Sequence, residues 1–420
     1  MLAVVTKNPE FARLWYAQLI SGTGDWLNRV AVITLIGELG GEDARLGVGM
    51  LFAIEFAVRM LPTAIFGPIA GPVADRVSRR TLMVLSDLVN AATVPCYLFI
   101  RDPAHLPLLY GLIVVQMGVS MFFHSARQGA LPNTVPRESL HKAMALSAAT
   151  WSIVLSFGSV LGGILLLKVG SDGVFIIDSL TYVASAVVLS KLRLPPVPKH
   201  DLPFHIFDIV LFRDVRKGFA HIRELGLAPI LFTKTLWGGC GGFIVMLSVV
   251  GRERFGLATE GVSTIEAAGA ATSLLFAARG VGTGIGPLLG HWVLGSSDAA
   301  LKRQISVGFV LAIVGYAAFA IAPTLPLAFV TIAFAHIGGS ALWVASTTLI
   351  QNRVDDAFRG RAFALDFLFM TFSFVGGGFL AGTLYELGET IETTIWALCG
   401  CVLVMGAFWT WIARERPSSR

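Results

Sequence analysis

Two pairs of oppositely charged residues interrupt apolar stretches near the start of the chain. Asp25 and Arg29 are four residues apart, and Glu55 and Arg59 have the same spacing. On a helix this spacing places acid and base on one face, within reach of each other. Apolar surroundings favour the protonated carboxyl and a nearby cation favours the ionised form, so such an acid can bind and release a proton. Asp25 and Glu55 are therefore candidate proton-coupling groups, with Arg29 and Arg59 as charge partners. The alternative is that each pair only neutralises itself.

Neighbouring glycines favour Asp25 over Glu55. Gly22 and Gly24 are expected to thin the helix face beside Asp25 and to admit water or a small molecule. Two further cations, Lys234 and Arg279, lie in apolar stretches of the second half of the chain, and both are candidate cavity residues. Ionisable groups inside a membrane are costly and commonly mark functional sites.

Twelve apolar runs form the framework that positions these groups. Of the 420 residues, 55% are hydrophobic and only 14% are charged, which is too little charge for a soluble surface. A membrane helix needs about 20 mostly apolar residues, and no run alternates as a barrel strand would. The sequence thus predicts an all-α polytopic membrane protein with 12 transmembrane helices. Asp178, at the start of the sixth run, is expected to be solvated near the outer surface. The runs are 14–39, 46–72, 81–100, 107–130, 143–167, 173–192, 226–250, 268–294, 304–322, 325–350, 362–386 and 391–413.

Lysine and arginine are concentrated at the two termini and in every second connection between runs. The intervening connections carry few basic residues and several acids, among them Glu38, Glu386 and Glu392. Because a Lys/Arg excess marks the cytoplasmic side, both termini are expected to be cytoplasmic in a bacterial inner membrane. The net charge of +5 therefore reflects topology, and nucleic acid is not an expected partner.

The two halves of the chain repeat each other at an offset of about 219 residues. Phe56-Ala-Val-Arg59 matches Phe276-Ala-Ala-Arg279, and Gly158 and Gly163 match Gly377 and Gly382. Six runs in each copy predict two six-helix bundles related by a parallel internal repeat, an arrangement that places a substrate site between them. The predicted bundles are 1–193 and 225–420. A proline-rich cytoplasmic linker, 194–224, joins them.

The connection after the second run resembles a known family motif. Gly71-Pro-Val-Ala-Asp75-Arg76-Val-Ser-Arg79-Arg80 is similar to the GxxxDRxGRR loop of the major facilitator superfamily, with Ser78 in place of a glycine. Gly22-Thr-Gly-Asp25-Trp26, Arg59-Met-Leu-Pro62 and Arg359-Gly-Arg361 look like the bacterial macrolide-efflux and enterobactin-exporter type. The fifth run has Gly158-Ser159-Val-Leu-Gly162-Gly163 and lacks the proline of the antiporter pattern.

This resemblance implies a gate on the cytoplasmic side. Asp75 is expected to dock at the start of the eleventh run, where the helix dipole presents partial positive charge. The gate loop comprises Gly71, Asp75, Arg76, Arg79 and Arg80. The residues expected to brace it are Asp87, Arg127 and Asp366, of which Asp366 could instead cap the eleventh helix.

The resemblance also implies function: a monomeric secondary transporter that exports small amphipathic molecules by alternating access in exchange for protons. The sequence contains no Walker loop, HExxH motif or GxSxG elbow, so an enzyme is not expected. No cofactor or metal site is indicated, and the four cysteines form no CxxC pair. An uptake permease, a lipid carrier, and a receptor or scaffold without transport remain alternatives.

Overall fold

The chain folds into helices throughout the part that the structure describes. The computed structural model describes residues 3–40, 46–196, 228–256 and 263–414, apart from the side chains of 356–361 and 414. Within these ranges there is no β-strand. The helices are α1 Ala3–Lys7, α2 Pro9–Leu39, α3 Val48–Ala74, α4 Arg79–Thr93, α5 Leu106–Ala130, α6 Arg137–Ser190, α7 Ala228–Leu231, α8 Thr233–Leu236, α9 Gly239–Glu253, α10 Thr264–Leu294, α11 Asp298–Ala320, α12 Leu325–Arg353, α13 Asp356–Glu386 and α14 Ile391–Arg414. Short 3₁₀ segments occur at Val94–Phe99, Pro103–His105 and Leu131–Asn133.

Eight helical segments within the described ranges are long and apolar enough to cross a membrane, which confirms a polytopic all-α chain. One of them, α6, contains both the fifth and the sixth predicted runs. They meet at Gly170, whose φ of +65° suits a residue without a side chain. The seventh run is divided among α7, α8 and the glycine-rich start of α9. The count of twelve spans stays a prediction.

The helices group into two compact units. The predicted division of the chain at 194–224 stays a prediction. The first unit contains Met1–Arg45, Val58–Ile206 and Gly256–Ala277, and the second contains Leu46–Ala57, Phe207–Phe255 and Ala278–Arg420. In the first unit α2 packs along α6, and in the second α11 packs along α12. The start of α3 thus belongs with the second half of the chain, and the start of α10 with the first. The predicted linker largely lies outside the described residues.

Glycine contacts explain why these two segments join the opposite half. In the first unit, a Cβ built on Gly163 of α6 would lie 3.0 Å from Ser273 Cβ of α10. In the second unit, a Cβ on Gly382 of α13 would lie 3.0 Å from Ala53 Cβ of α3. Gly382 follows Gly163 by 219 residues, and Ser273 follows Ala53 by 220. The same close helix contact therefore occurs twice at the repeat spacing.

A buried hydrogen bond is repeated in the same way. In the first unit Tyr97 Oη donates to Gln116 Oε1 at 3.2 Å, and both side chains are buried. In the second unit Tyr316 Oη and His336 Nε2 are hydrogen-bonded at 2.7 Å. These residues follow Tyr97 and Gln116 by 219 and 220 positions, so this contact belongs to the common framework of the two halves.

Candidate functional site

A cavity with a largely apolar wall and several polar groups lies in the first unit. It has a volume of about 530 Å³ and is lined by residues of α2, α4, α5 and α6. Apolar and aromatic side chains form much of its wall, including Trp26, Phe123 and Trp151. Its ionisable, amide and hydroxyl side chains are Gln18, Ser21, Asp25, Asp87, Asn90, Ser120, His124, Arg127, Gln128, Ser147 and Tyr182.

Asp25 lies on the wall of this cavity and is held by a chain of side chains. Tyr182 of α6 donates its hydroxyl hydrogen to Asp25 Oδ1. Gln116 Nε2 of α5 donates to Tyr182 Oη at 3.1 Å, and Tyr97 donates in turn to Gln116. Because Gln116 and Tyr182 are buried, these bonds fix the position of the carboxyl group.

The two glycines beside Asp25 have different roles. Gly22 lines the cavity, as the sequence led us to expect. Gly24, in contrast, allows α2 to approach α6, since a Cβ at this position would overlap the side chains of Thr181 and Asp178. The expectation that Gly24 opens the face of Asp25 is therefore wrong.

Asp178 is the acid that the sequence misplaced. It was expected to be solvated, but its relative exposure is 0%. It lies in the interior of α6, after the turn at Gly170, and faces α2 next to Gly24. It also interacts electrostatically with Asp25 and Arg59. The signal in the sequence was the four-residue spacing of Asp178 and Tyr182, which places both on one helix face.

The predicted charge partners are buried in several different contacts. The guanidinium carbon of Arg29 lies 5.3 Å from the ring centre of Trp26 and 4.8 Å from that of Phe276, both within cation–π range. Arg59 is 8% exposed and its charge acts on Asp25. Glu55 is 3% exposed and belongs to the segment of α3 that is part of the second unit.

A buried ion pair in the second unit joins two predicted residues. Lys234 Nζ of α8 contacts Asp366 Oδ2 of α13, and each side chain is only 4% exposed. The ammonium group also lies 4.9 Å from the ring centre of Trp343. Lys234 therefore has an acidic partner within its own unit. Arg279, the repeat counterpart of Arg59, is half-buried in α10 and interacts with Cys240 and Tyr316.

The gate loop folds onto the end of α5. Arg79 Nη1 donates to the carbonyl oxygen of Gly129 at 2.6 Å, and Arg79 Nη2 lies 3.3 Å from Asp75 Oδ1. Arg76 donates to the carbonyl of Pro72 at 3.1 Å, while Arg80 is exposed. The proposed docking partner of Asp75 begins in 356–361, whose side chains lie outside the described residues.

The three residues predicted to brace the gate have other side-chain contacts in the described ranges. Arg127 Nη1 donates to Gln18 Oε1 and to Ser147 Oγ, both at 2.7 Å. Asp87 lines the same cavity and interacts electrostatically with Asp25. Asp366 is paired with Lys234, as described above. Bracing of the gate by these three residues stays a prediction.

No cluster of three or more His, Cys, Asp or Glu side chains is placed to hold a metal ion among the residues that the structure describes. The cavity wall offers carboxyl, hydroxyl, amide, imidazole and guanidinium groups beside apolar surface. Such a set can bind a small molecule and exchange protons with water.

Known proteins match this chain along most of its length. The sequence profile of the Major Facilitator Superfamily matches residues 14–271. The uncharacterized MFS-type transporter YfiS of Bacillus subtilis (strain 168) is 26% identical over 431 residues, covering 96% of this chain and 93% of YfiS. Macrolide efflux protein A of Streptococcus pyogenes is 25% identical over 231 residues, which are 54% of this chain and 55% of that protein.

Solved structures share the fold at low sequence identity. The nucleoside transporter NupG has a TM-score of 0.70 and 13% identity, covering 97% of this chain and 100% of NupG. A bacterial homologue of the human lysosomal transporter Spinster, in an inward-facing and unoccupied conformation, has a TM-score of 0.65 and 18% identity, covering 98% of this chain and 99% of that one. At these identities the likeness concerns the fold alone.

Proposed function

Because the chain belongs to the Major Facilitator Superfamily of transporters, we propose that it exports small amphipathic molecules in exchange for protons, with Asp25 as the coupling carboxylate. The observation that carries this proposal is the position of Asp25. Its carboxyl group lies on the wall of a cavity of about 530 Å³ and accepts a hydrogen bond from Tyr182. A cavity-lining acid can exchange its proton with water while a substrate occupies the same space.

The chemistry of the cavity wall supports an amphipathic substrate. Trp26, Phe123 and Trp151 offer flat apolar surface, while Asp25 and Arg127 offer charges of opposite sign. Pockets that combine apolar walls with a few fixed polar groups bind small molecules in a defined orientation. A purely hydrophilic nutrient would leave the aromatic surface without a partner.

Two relatives support export as the direction. Macrolide efflux protein A of Streptococcus pyogenes is similar to 54% of this chain. The putative bacilysin exporter BacE of Bacillus amyloliquefaciens is similar to 53%, at 25% identity, and the match covers 51% of BacE. Bacterial relatives, together with the basic residues concentrated at the termini, support an inner-membrane location with both ends in the cytoplasm. The proposed functional unit is a monomer.

Glu55 is the rival proton site. It is more deeply buried than Asp25 and lies one helical turn from Arg59. Asp25 is preferred because it lines the cavity, where water and substrate can reach it, and Glu55 does not line this cavity.

The test is gradient-driven transport in proteoliposomes with a panel of amphipathic compounds that includes a macrolide. Asp25→Asn is expected to abolish accumulation driven by a pH gradient while leaving substrate binding measurable. The matched control is Asp172→Asn, because Asp172 is an exposed acid paired with Arg101 at 2.6 Å, and this variant should transport like the wild type.

Four outcomes would change the proposal. If Asp25→Asn retains full gradient-driven transport and Glu55→Gln loses it, the proton site moves to α3. Accumulation only in the opposite direction would identify an uptake permease, and transport of phospholipid alone would identify a lipid carrier. Binding without transport by the wild-type protein would favour a receptor or scaffold.

A further inference from the structure

Asp178 and Asp25 meet at the contact between α2 and α6. Tyr182, one turn after Asp178, donates its hydroxyl hydrogen to Asp25 Oδ1. Gly24, the neighbour of Asp25, is so close to α6 that an added Cβ would overlap Asp178 Oδ1. The two carboxyl groups thus lie at the same level of one helix contact and interact electrostatically.

The surroundings of Asp178 favour a bound proton. The residue has no exposed surface, Thr181 Oγ1 donates a long hydrogen bond of 3.4 Å to its Oδ1, and Asn28 interacts with the carboxyl group. Its Oδ2 atom has no partner within hydrogen-bonding geometry among the residues that the structure describes. A buried carboxylate oxygen without a donor loses its hydrogen bonds to water and has no protein hydrogen bond to replace them, so the ionised form is destabilised. A proton on this group removes the charge.

The internal repeat separates this site from the framework of the fold. The Tyr97–Gln116 hydrogen bond has a counterpart in Tyr316 and His336, so it is common to both halves. The positions 219 residues after Asp25, Asp178 and Tyr182 are Ile244, Ala397 and Cys401. The acid pair and its tyrosine therefore occur in one half only, as expected for groups with a specific task and not for groups that hold the common fold.

We propose that Asp25 and Asp178 share a single coupling proton and that Tyr182 is the positioning residue of this pair. The inference rests on the proposed proton-coupled transport and adds a second carboxyl group to its site. In the loaded state the pair holds one carboxyl and one carboxylate. On release the proton passes from Asp25 to a cavity water, and two carboxylates remain. Two neighbouring acids that cannot both ionise at low cost titrate as a unit.

Several charged or titratable groups face this pair from the surrounding helices. Arg59 acts on both acids from α3, and Asp87 of α4 interacts with Asp25. With Arg59 as the compensating cation, one proton on the pair brings these two acids and Arg59 to a net charge of zero. The other groups on the cavity wall are His124 and Arg127 of α5, while Tyr97 acts through Gln116.

The experiment is infrared spectroscopy of the purified full-length protein in lipid nanodiscs, following the C=O stretching band of a protonated carboxyl group at neutral pH. Difference spectra between each variant and the wild type isolate the contribution of one acid. We expect the band to be lost in both Asp25→Asn and Asp178→Asn, because either change leaves a single carboxylate facing Arg59. Asp172→Asn should leave the spectrum unchanged. Tyr182→Phe should retain the band at a shifted frequency, which a merely structural tyrosine would not produce.

Three results would overturn the inference. A band that persists in Asp178→Asn would place the proton on Asp25 alone. A wild-type spectrum without the band, but with a carboxylate change on adding sodium chloride, would indicate a sodium site. If Asp178→Asn does not fold, Asp178→Glu takes its place: it should shift the band, and an unchanged band would contradict sharing.

The spectra do not depend on transport, so the two proposals can fail separately. Loss of the band in both Asp25→Asn and Asp178→Asn would support the shared proton. If transport by the wild-type protein is also independent of the pH gradient, proton coupling is rejected. A persistent band in Asp178→Asn, together with abolished gradient-driven transport in Asp25→Asn, would support proton coupling through Asp25 and reject the shared proton.

Discussion

Replacing Asp366 with asparagine should destabilise the second unit more than any exposed charge change. The Lys234 ammonium and the Asp366 carboxylate are each 4% exposed and contact each other directly. Asparagine keeps the shape of the side chain but leaves the buried Lys234 without a counter-charge. The ring of Trp343, 4.9 Å from the ammonium, is present in both proteins and does not replace the lost carboxylate.

The magnitude follows from the burial of the pair. Removing one partner of a buried ion pair costs about 3–5 kcal/mol. For a unit of this size, each kcal/mol lowers Tm by roughly 2–4 °C, so the expected fall is at least about 6 °C. Thermal unfolding of the detergent-purified protein, followed by tryptophan fluorescence, measures this shift. The apolar double variant Lys234→Met with Asp366→Leu should recover most of the loss, because it leaves no buried charge.

The control is Asp298→Asn, which removes the partner of Arg353 in the same unit. These side chains are 44% and 35% exposed, and an exposed pair contributes about 0–1 kcal/mol. Equal small shifts in Asp366→Asn and Asp298→Asn would refute the reasoning. Transport by the apolar double variant distinguishes a structural role of Lys234 from a role in the cavity. Retained transport would show that Lys234 serves stability only. Lost transport in a stable protein would support Lys234 as a cavity residue.

Two further predictions concern the two ends of α3. Asp75→Asn should favour the inward-open state by removing the charge proposed to meet the eleventh predicted helix. At about 0.3–1 kcal/mol for an exposed group, the state ratio should change roughly two- to five-fold, and unchanged spectroscopic distances across the cytoplasmic gate would contradict it. At the other end, Glu386 Oε1 accepts from the backbone N–H groups of Gly49 at 2.9 Å and Met50 at 3.4 Å. Glu386→Ala should cost about 1 kcal/mol in unfolding experiments. Gly47→Ala should also lower Tm, because its Cβ would displace the Glu386 carboxylate from the two N–H groups that it caps. Unaltered Tm values in both would show that Glu386 does not cap α3.

Several features of this protein could be predicted from the sequence because they depend on local composition. Apolar runs of about 20 residues predict membrane helices wherever they occur. A single turn at Gly170 between the fifth and sixth runs agrees with their predicted limits. The loop from Gly71 to Arg80 indicated the superfamily, and the profile match confirms it. Asp25 could be named as a candidate because a carboxylate in an apolar run is costly, and its role in proton coupling stays a prediction.

Other features depend on contacts between residues far apart in the chain, and no local pattern specifies them. Tyr182 and Asp25 are 157 residues apart, and Lys234 and Asp366 are 132 apart. Asp178 is at the start of an apolar run, which is typical of a solvated position. The close approach of α2 at Gly24 instead buries it. The sequence by itself determined which polar groups lie within apolar runs, although it did not show that Asp178 would be buried. Helix packing decided which of these polar groups contact each other. A buried charged side chain can be paired only with a group on a helix that packs against its own.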